Sequence, residues 1–465
     1  MENILPEINI NFKTDENSYI TFLFKKNRLS YECDRGIVIK LSLNTDGQYT
    51  AERIDNGKNF SEFTNEILEQ IEEKYNKEVL IYKENENDGV DYSPDENIEI
   101  TIPYNPEAIQ ITSGRFSLKE VYEMITGEDD IEPILDLSPD FQRNYVWDRT
   151  RKSRLIESIL LKIPLPVFYL ARDNEGKYQV VDGVQRLSVI NEYFSNGFKL
   201  SNLEYLGKEC DWKFYNKKNS NSLHPKFVRA LRTYQIDCNI IEPSTPTEVK
   251  FEIFKRLNTG GKSLNNQEIR NSIMKKIIRD FIRTLAESEQ FKKATCGKIK
   301  SKRMLDQEMV LRFVGFYFLY EVHYIDIDYK GNINNFLNKL VELLNDNSNA
   351  VPFEKVERMF YKSMEFAHIL FGENAFKKIY PEPTTNNRLI NKALFTAFSV
   401  LLTRYNIDEV TKIGNISNEF AIYLDKTKYL DEAITYGTSD KLRIDTTFLL
   451  IEKFLNKVIR GIEID

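Results

Sequence analysis

Histidine and cysteine are scarce in this sequence of 465 residues. It has three histidines, His224, His323 and His368, and four cysteines, and no two of either type lie close together. A zinc site or a histidine-dependent nuclease needs clustered side chains, because each supplies a single ligand or proton transfer. The spacing therefore argues against a zinc site and predicts reduced, mostly buried thiols. Any catalysis has to rest on carboxylates, amides, arginines and backbone donors.

Long apolar segments are also absent. The longest apolar runs, Phe313–Val322 and Ala393–Leu402, have about ten residues, whereas a helix needs ~20 to cross a bilayer. The first residues, Met1-Glu2-Asn3, lack the basic start and apolar core of a signal peptide. Aromatic residues are plentiful, with 30 Phe and 25 Tyr, which excludes a disordered or collagen-like chain. The sequence predicts a soluble, cytoplasmic protein with no membrane partner.

Charge is unevenly distributed along the chain. Residues 1–110 carry 23 acidic and 11 basic side chains, whereas residues 111–465 carry 48 acidic and 53 basic ones. Basic side chains are concentrated in Phe141–Leu155 and in Lys250–Arg303. Such excesses fit contacts with a polyanion such as DNA, and they fit the solvated faces of helices equally well. The contrast indicates an acidic N-terminal domain that is separate from a mildly basic remainder.

The pattern of apolar residues predicts an α+β protein. Short alternating runs predict strands within residues 1–58, and an amphipathic helix follows within Ser61–Tyr75. Strands and helices alternate again from about Ile111, and from about Val249 onward the pattern is almost entirely helical. We therefore expect three domains: a small acidic α+β domain over 1–110, an α/β domain over 111–262 and a helical domain over 263–465.

Three groups of residues carry side chains suited to phosphate chemistry. The first is Pro139–Trp147, in which Gln142 and Arg143 lie among aromatic residues. An arginine can bind a phosphate through two parallel hydrogen bonds, a neighbouring amide can orient a polar group, and the rings can keep water out. The alternative is a loop that the aromatics hold against the core and in which Arg143 pairs with Asp140.

The second group, Val180–Leu187, begins at the end of a predicted strand and continues into a predicted helix. Asp182-Gly183 forms the turn, and Gln185 and Arg186 lie in the first helical turn. Such a turn presents backbone N–H groups and the positive end of a helix dipole, which attract phosphate. Asp182 would cap the helix, or hold a metal ion or a water molecule. Aspartate–glycine turns are common, so the motif alone does not distinguish a site from an ordinary turn.

The third group, Phe254–Asn271, is predicted to form a helix, a glycine turn and a second helix. Its polar and glycine residues include Arg256, Asn258, Gly260, Gly261 and Asn265. The group is not a Walker loop, because Arg256 stands where that loop needs a glycine and no strand precedes it. Asn265 and Glu268 have the spacing of a capping box, which would explain the start of the second helix structurally.

Together and in this order, the three groups resemble the ParB/sulfiredoxin-like domain family that carries a D-G-Q-Q-R motif. The resemblance is to the GmrS-type N-terminal half of modification-dependent restriction proteins and related anti-phage proteins, and it spans about residues 112 to 320. Asp306–Phe313 resembles the helical part of the family. The sequence departs from the motif at Val184, where the family usually has glutamine. The matching positions are Asp182, Gly183, Gln185 and Arg186.

The resemblance implies a ParB/sulfiredoxin-like α/β core that binds and hydrolyses a nucleoside triphosphate, with Mg²⁺ as cofactor, in connection with cleavage of foreign DNA. The family's nuclease is a separate His-Asn-His-type domain, and the scarcity of histidine after residue 320 makes a stand-alone form the expectation. Asp182 would orient the metal or a water, with Gln185 and Arg186 as its catalytic neighbours. The residues implied to bind nucleotide or phosphate are Gln142, Arg143, Gly183, Arg256, Asn258, Gly260, Gly261 and Asn265.

Two further interpretations stay open. The same pocket can hold a nucleotide without turnover and act as a switch that senses DNA or a phage protein, and the departure at Val184 favours this. Alternatively, the chain keeps the fold as an interaction protein and has lost the ligand. The expected partners are a nucleotide, DNA, a partner nuclease or a phage protein, and further copies of the chain.

Overall fold

The computed structural model describes most of the chain. The described residues are 8–13, 19–24, 30–32, 38–43, 49–53, 68–73, 75–76, 79, 89–91, 109–127, 132–137, 147–218, 221–257, 264–322, 326–346, 348, 350–381, 389–435 and 437–462.

The chain divides into two compact units. The first, which we call the sheet unit, consists of Thr101–Asp280 and Val341–Asn349. The second, the helical unit, consists of Met1–Ile100, Phe281–Leu340 and Ala350–Asp465. The α+β fold class is confirmed, and the C-terminal part of the chain is helical as expected. The division into three domains stays a prediction.

The N-terminal strands form two small antiparallel sheets, which confirms the strands expected within residues 1–58. β1 (Ile8–Lys13) pairs with β2 (Tyr19–Phe24) in the first sheet. The second sheet contains β3 (Ser30–Glu32), β4 (Val38–Leu43) and β5 (Tyr49–Arg53). Residues 68–73 are helical, in agreement with the predicted amphipathic helix.

The sheet unit is built on a five-stranded mixed sheet. Its strands are β6 (Ile111–Ser117), β7 (Leu135–Asp136), β8 (Phe168–Arg172), β9 (Tyr178–Asp182) and β10 (Gln235–Ile241). The strand order is β6-β10-β8-β9-β7. β10 runs antiparallel to β6 and parallel to β8, and β9 runs antiparallel to β8 and parallel to β7.

Helices cover both faces of this sheet. In chain order they are α1 (Leu118–Thr126), α2 (Arg149–Leu160), α3 (Val184–Phe194), α4 (Gly207–Cys210), α5 (Pro225–Thr233), α6 (Thr247–Leu257) and α7 (Asn266–Ile273). Successive strand residues point to opposite faces. Phe168, Leu170 and Val180 therefore pack in one core with α1, α2, α3 and α5. Val181 and Ile241 pack in a second core with α6 and α7.

The rest of the chain is helical and rich in buried phenylalanine. The helices after α7 are α8 (Lys276–Glu287), α9 (Glu289–Ala294), α10 (Leu305–Tyr317), α11 (Ile333–Asp346), α12 (Phe353–Phe371), α13 (Lys392–Leu401), α14 (Ile407–Ile413), α15 (Ser417–Lys426), α16 (Lys428–Ala433) and α17 (Lys441–Leu455). Ring pairs in the helical unit, such as Phe313 with Phe360 at 5.0 Å between centroids, fill its interior. The high phenylalanine content of the sequence thus serves the core.

The composition-based expectations can be compared with the described ranges. Among the helices described there, none is both long enough and apolar enough to cross a bilayer. Cys210, Cys238 and Cys296 are free thiols, and the first two are buried. Cys33 lies outside the described residues. Burial of two of the three described thiols agrees with the expectation of mostly buried cysteines, and their reduced state stays a prediction.

Candidate functional site

The predicted strand–turn–helix motif is confirmed at the end of β9. The strand ends at Asp182, and α3 begins at Val184 after a single residue, Gly183. Gly183 has φ 96° and ψ 9°, a left-handed conformation that favours glycine. A Cβ atom at this position would lie 2.4 Å from Cδ1 of Phe168. Both its backbone conformation and the neighbouring ring therefore require glycine here.

Arg186 links this turn to the start of β8. Its Nη2 atom lies 2.9 Å from Oδ2 of Asp182 in an ion pair. The guanidinium also donates to the carbonyl oxygens of Pro166 and Val167, and its Cζ lies 4.2 Å from the centre of the Phe168 ring. The side chain is 13% exposed. Burial lowers the pKa of Arg186, and the Asp182 carboxylate opposes that shift.

The start of α3 presents polar groups that the protein itself does not fully use. Gly183 is the N-cap residue and offers no side-chain cap, so the first-turn N–H groups have no side-chain acceptor among the described residues. The expectation that Asp182 caps the helix is wrong, because its carboxylate pairs with Arg186 instead. Gln185 is half-buried, and its side-chain amide forms no hydrogen bond within the described part of the chain. The first-turn N–H groups of α3 and the Gln185 amide thus offer donors in the residues that directly follow Asp182 and Gly183.

Val184, the departure from the D-G-Q-Q-R motif, lies in the hydrophobic core. Its side chain is 3% exposed and packs with the core beneath α3. The departure therefore takes no polar group away from the exposed part of the turn.

The third sequence group reaches the same strand from the opposite face of the sheet. Leu257, at the end of α6, and Leu264, just before α7, pack against the core that contains Val181, the neighbour of Asp182. Arg256 is exposed, and its Nε atom lies 3.7 Å from Oε2 of Glu252. β9 therefore brings the second and third groups together in one part of the sheet unit.

Asn265 forms the predicted capping box at the start of α7. Its Oδ1 atom accepts a hydrogen bond from the N–H of Glu268 at 2.8 Å, and its own N–H donates to Oε2 of Glu268 at 2.7 Å. The structural explanation is confirmed. A contact between Asn265 and phosphate stays a prediction.

Comparison with known families identifies the part of the chain that holds this turn. Residues 118–275 match the family model described as the GmrSD restriction endonuclease, N-terminal domain. This segment is similar to a GmrSD-type N-terminal domain, and we call it the GmrSD-type domain. The match runs from α1 to just beyond α7 and includes the whole β9–α3 turn. The role that the family implies is restriction and phage defence. Among curated proteins, none matches the chain.

Five of the predicted site residues of the GmrSD-type domain lie outside the described residues. They are Gln142, Arg143, Asn258, Gly260 and Gly261. Trp147, the last residue of the first group, is described and is half-buried against the sheet core. The guanidinium of Arg151 lies 4.2 Å from the centre of its ring. The aromatic end of this group is therefore attached to the core, as the loop alternative expects.

The Asp182 carboxylate can hold Mg²⁺ only if a bound phosphate supplies further ligands to the metal ion. Within the described ranges, no group of three or more His, Cys, Asp and Glu side chains is placed to hold a metal ion. Mg²⁺ at phosphate sites is commonly held by one or two carboxylates, with phosphate oxygens and waters completing its shell. Asp182 is half-buried and uses only Oδ2 in its ion pair with Arg186. One carboxylate oxygen thus remains for such a shared site.

A buried carboxylate of the GmrSD-type domain carries a role that no motif in the sequence indicates. Glu157 in α2 accepts hydrogen bonds from the N–H groups of Glu204, Tyr205 and Leu206, at 3.0, 2.7 and 2.8 Å. Burial raises its pKa, but the backbone donors outweigh burial and hold the pKa below its usual range. The sequence feature that could have indicated this role is the position of Glu157, an acidic residue on the apolar face of a predicted helix. Glu157 fixes the segment after α3 against α2.

Proposed function

We propose that the GmrSD-type domain binds and hydrolyses a nucleoside triphosphate at the β9–α3 turn, and that this activity is coupled to recognition of foreign DNA. The observation that carries the proposal is the start of α3, which has no side-chain cap and lies beside Asp182 and Gln185. Helix N-termini bind phosphate through free N–H groups and the helix dipole. Gly183 supports close approach, since it places no side chain over the backbone. The family match supports the restriction context.

Each residue of the turn has its own part in the proposed reaction. The first N–H groups of α3 bind phosphate oxygens, and the Gln185 amide donates to the same ligand. Asp182 accepts a hydrogen bond from the attacking water and orients it towards the terminal phosphate. Arg186 keeps Asp182 in this orientation through the 2.9 Å ion pair. Mg²⁺, when bound beside Asp182, would neutralise charge on the phosphates.

The other predicted residues would complete the site around the nucleotide. Arg256 is exposed at the end of α6, and Asn265 begins α7 next to the same core. In the proposal these two helix ends close the site from the side of the sheet opposite α3. The residues assigned to the same task by the resemblance are Gln142, Arg143, Asn258, Gly260 and Gly261.

A second candidate is a nucleotide-dependent switch without turnover. Arg186 is already engaged by Asp182 and by the carbonyl oxygens of Pro166 and Val167. Phosphoryl transfer gains much of its rate from an arginine that meets the transferring group, and Arg186 in this arrangement is not available for that contact. A partner nuclease or phage protein would then respond to the nucleotide-bound state, with or without self-association of the chain.

Phosphate release by the purified chain tests both candidates. The four common nucleoside triphosphates are compared with and without Mg²⁺ and DNA, for the wild type, Arg186→Ala and Arg172→Ala. Arg172 lies at the other end of β8 and pairs with Glu242 at 2.6 Å, so its variant loses a comparable ion pair away from the turn. We expect release to fall about tenfold or more in Arg186→Ala and to persist in Arg172→Ala.

Each outcome separates the candidates. Equal loss in the two arginine variants would contradict a site at the turn, since any lost ion pair would then suffice. Nucleotide binding without release by the wild type would support the switch. Neither binding nor release would contradict both and leave an interaction protein.

A further inference from the structure

A second surface of the sheet unit displays an exposed tryptophan between α3 and α5. Trp212 is 59% exposed and has φ 64°, a left-handed conformation that bulky residues rarely adopt. The backbone N–H of Trp212 donates to the carbonyl of Leu200 at 2.8 Å. The backbone carbonyl of Trp212 accepts a hydrogen bond from Nδ2 of Asn221 at 3.4 Å. A large aromatic residue held in an unfavourable backbone conformation at the surface points to a function rather than to packing.

Lysines lie around the ring of Phe214, two residues after Trp212 in the chain. The Nζ atoms of Lys199 and Lys217 lie 5.2 and 4.7 Å from the centre of one ring, that of Phe214. Lys213 is the residue between Trp212 and Phe214. Among the described residues, no carboxylate pairs with any of these three lysines. Two ammonium groups on one ring, with a third in the adjoining residue, produce a local positive potential beside the exposed tryptophan.

The carboxylates of the same segment are engaged elsewhere. Glu204 pairs with Arg154 at 2.8 Å, and Glu209 pairs with Lys226 at 3.2 Å. Asp211 accepts a backbone hydrogen bond at 3.3 Å. Glu204 and Glu209 are therefore neutralised by cations other than the lysines near Phe214, whereas Asp211 keeps its charge.

The segment is fixed against α2, which adds cations of its own. The Nε atom of Arg149 donates to the carbonyl of Lys199 at 3.2 Å, and the N–H of Ser201 donates to the hydroxyl of Ser153 at 3.0 Å. Glu157 holds the next residues through its three backbone bonds. The backbone of this segment is thus held in place before any ligand binds, which reduces the entropy lost on binding.

We propose that this surface binds single-stranded nucleic acid, with an unpaired base stacked on Trp212 and phosphates held by Lys199, Lys213 and Lys217. Every base has a face that can stack on an indole, and in a duplex that face is covered by its neighbours. The inference rests on the proposed function in one respect, the expectation that the protein meets DNA. It uses none of the residues of the β9–α3 turn.

Tryptophan fluorescence gives a direct test, because the chain has two tryptophans. The other, Trp147, is half-buried beside Arg151. Titration with single-stranded oligothymidylate should quench the fluorescence until the protein is saturated. Trp212→Gly suits the left-handed backbone and keeps the fold, and it should abolish the quench and weaken binding about tenfold or more. Binding by this variant is measured with a labelled oligonucleotide.

Three results would overturn the proposal: no binding of the single strand, equal binding of wild type and Trp212→Gly, or tighter binding of a duplex of equal length without quenching. Phosphate release without DNA is measured on the same variant. It should be unchanged, so failure of the strand-binding surface and failure of the nucleotide site are distinguishable.

The lysines are tested through the salt dependence of binding. Replacement of Lys199, Lys213 and Lys217 by alanine should reduce the slope of log affinity against log salt by about 2, at ~0.7 per phosphate contact on a single strand. The matched control replaces three exposed lysines of the helical unit, Lys412, Lys426 and Lys428. It removes the same charge and should leave the slope unchanged. Equal effects of the two triple variants would show that net charge, and not this surface, attracts the strand.

Discussion

At the scale of single residues, the β9–α3 turn depends most on Gly183. Its φ of 96° and the 2.4 Å approach of a Cβ atom to the Phe168 ring both exclude a side chain. The same ring carries the Arg186 guanidinium, so a shift of Phe168 would also disturb the ion pair with Asp182. One glycine thus determines the geometry of the proposed site.

Replacement of Gly183 by alanine should lower the free energy of unfolding by about 2 to 4 kcal/mol, from the left-handed backbone and the overlap with Phe168 together. Urea unfolding followed by circular dichroism measures the loss. Gly176 is the matched control, because its φ is 81° and nothing lies within 4 Å of a Cβ atom there. Gly176→Ala should cost only about 1 to 2 kcal/mol. Equal losses in the two variants would show that Phe168 moves aside without cost.

At the scale of elements, the start of α7 combines a structural role with a proposed binding role. Asn265 and Glu268 form a capping box, and Asn406 and Glu409 form the same box at the start of α14. The two helices therefore offer the same local chemistry in two places. Only α7 packs against the core of β9, the strand that ends at Asp182.

Asn265→Ala and Asn406→Ala should each lower the free energy of unfolding by about 1 kcal/mol, the usual cost of a lost N-cap. Only Asn265→Ala should also weaken nucleotide binding, because Asn265 begins a helix that packs against β9. Urea unfolding and titration with a fluorescent nucleotide measure the two effects separately. Unchanged nucleotide affinity in Asn265→Ala would show that Asn265 is a cap and nothing more.

At the scale of the whole molecule, the sequence predicted those features of the fold that depend on residues close together in the chain. The strand before the Asp182-Gly183 break, the break itself and the Asn265–Glu268 box all follow from patterns of a few residues. The partners of Arg186 at Pro166 and Val167 lie about twenty residues away and depend on the pairing of β8 with β9. No local pattern encodes such contacts.

The surface around Trp212 could not be predicted for a related reason. Its lysines and its indole lie on irregular segments without helical or strand periodicity, and Phe214 brings Lys199 and Lys217 together only in the folded chain. The grouping of Val341–Asn349 with the sheet unit likewise depends on tertiary contacts. The nucleotide hypothesis came from the family resemblance. The ion pair between Arg186 and Asp182 became visible only in the structure.

The most direct test of a nucleotide site at the β9–α3 turn is amide hydrogen exchange of the whole chain, with and without a nucleoside triphosphate and Mg²⁺. The amides at Val184, Gln185 and Arg186 should exchange more slowly when nucleotide is bound, because phosphate would accept their hydrogen bonds. The start of α17 is the internal control, since Asp440 already accepts bonds from its first-turn amides. Its exchange should not change. Saturating nucleotide with protection elsewhere in the chain, and none at the start of α3, would contradict the proposed site.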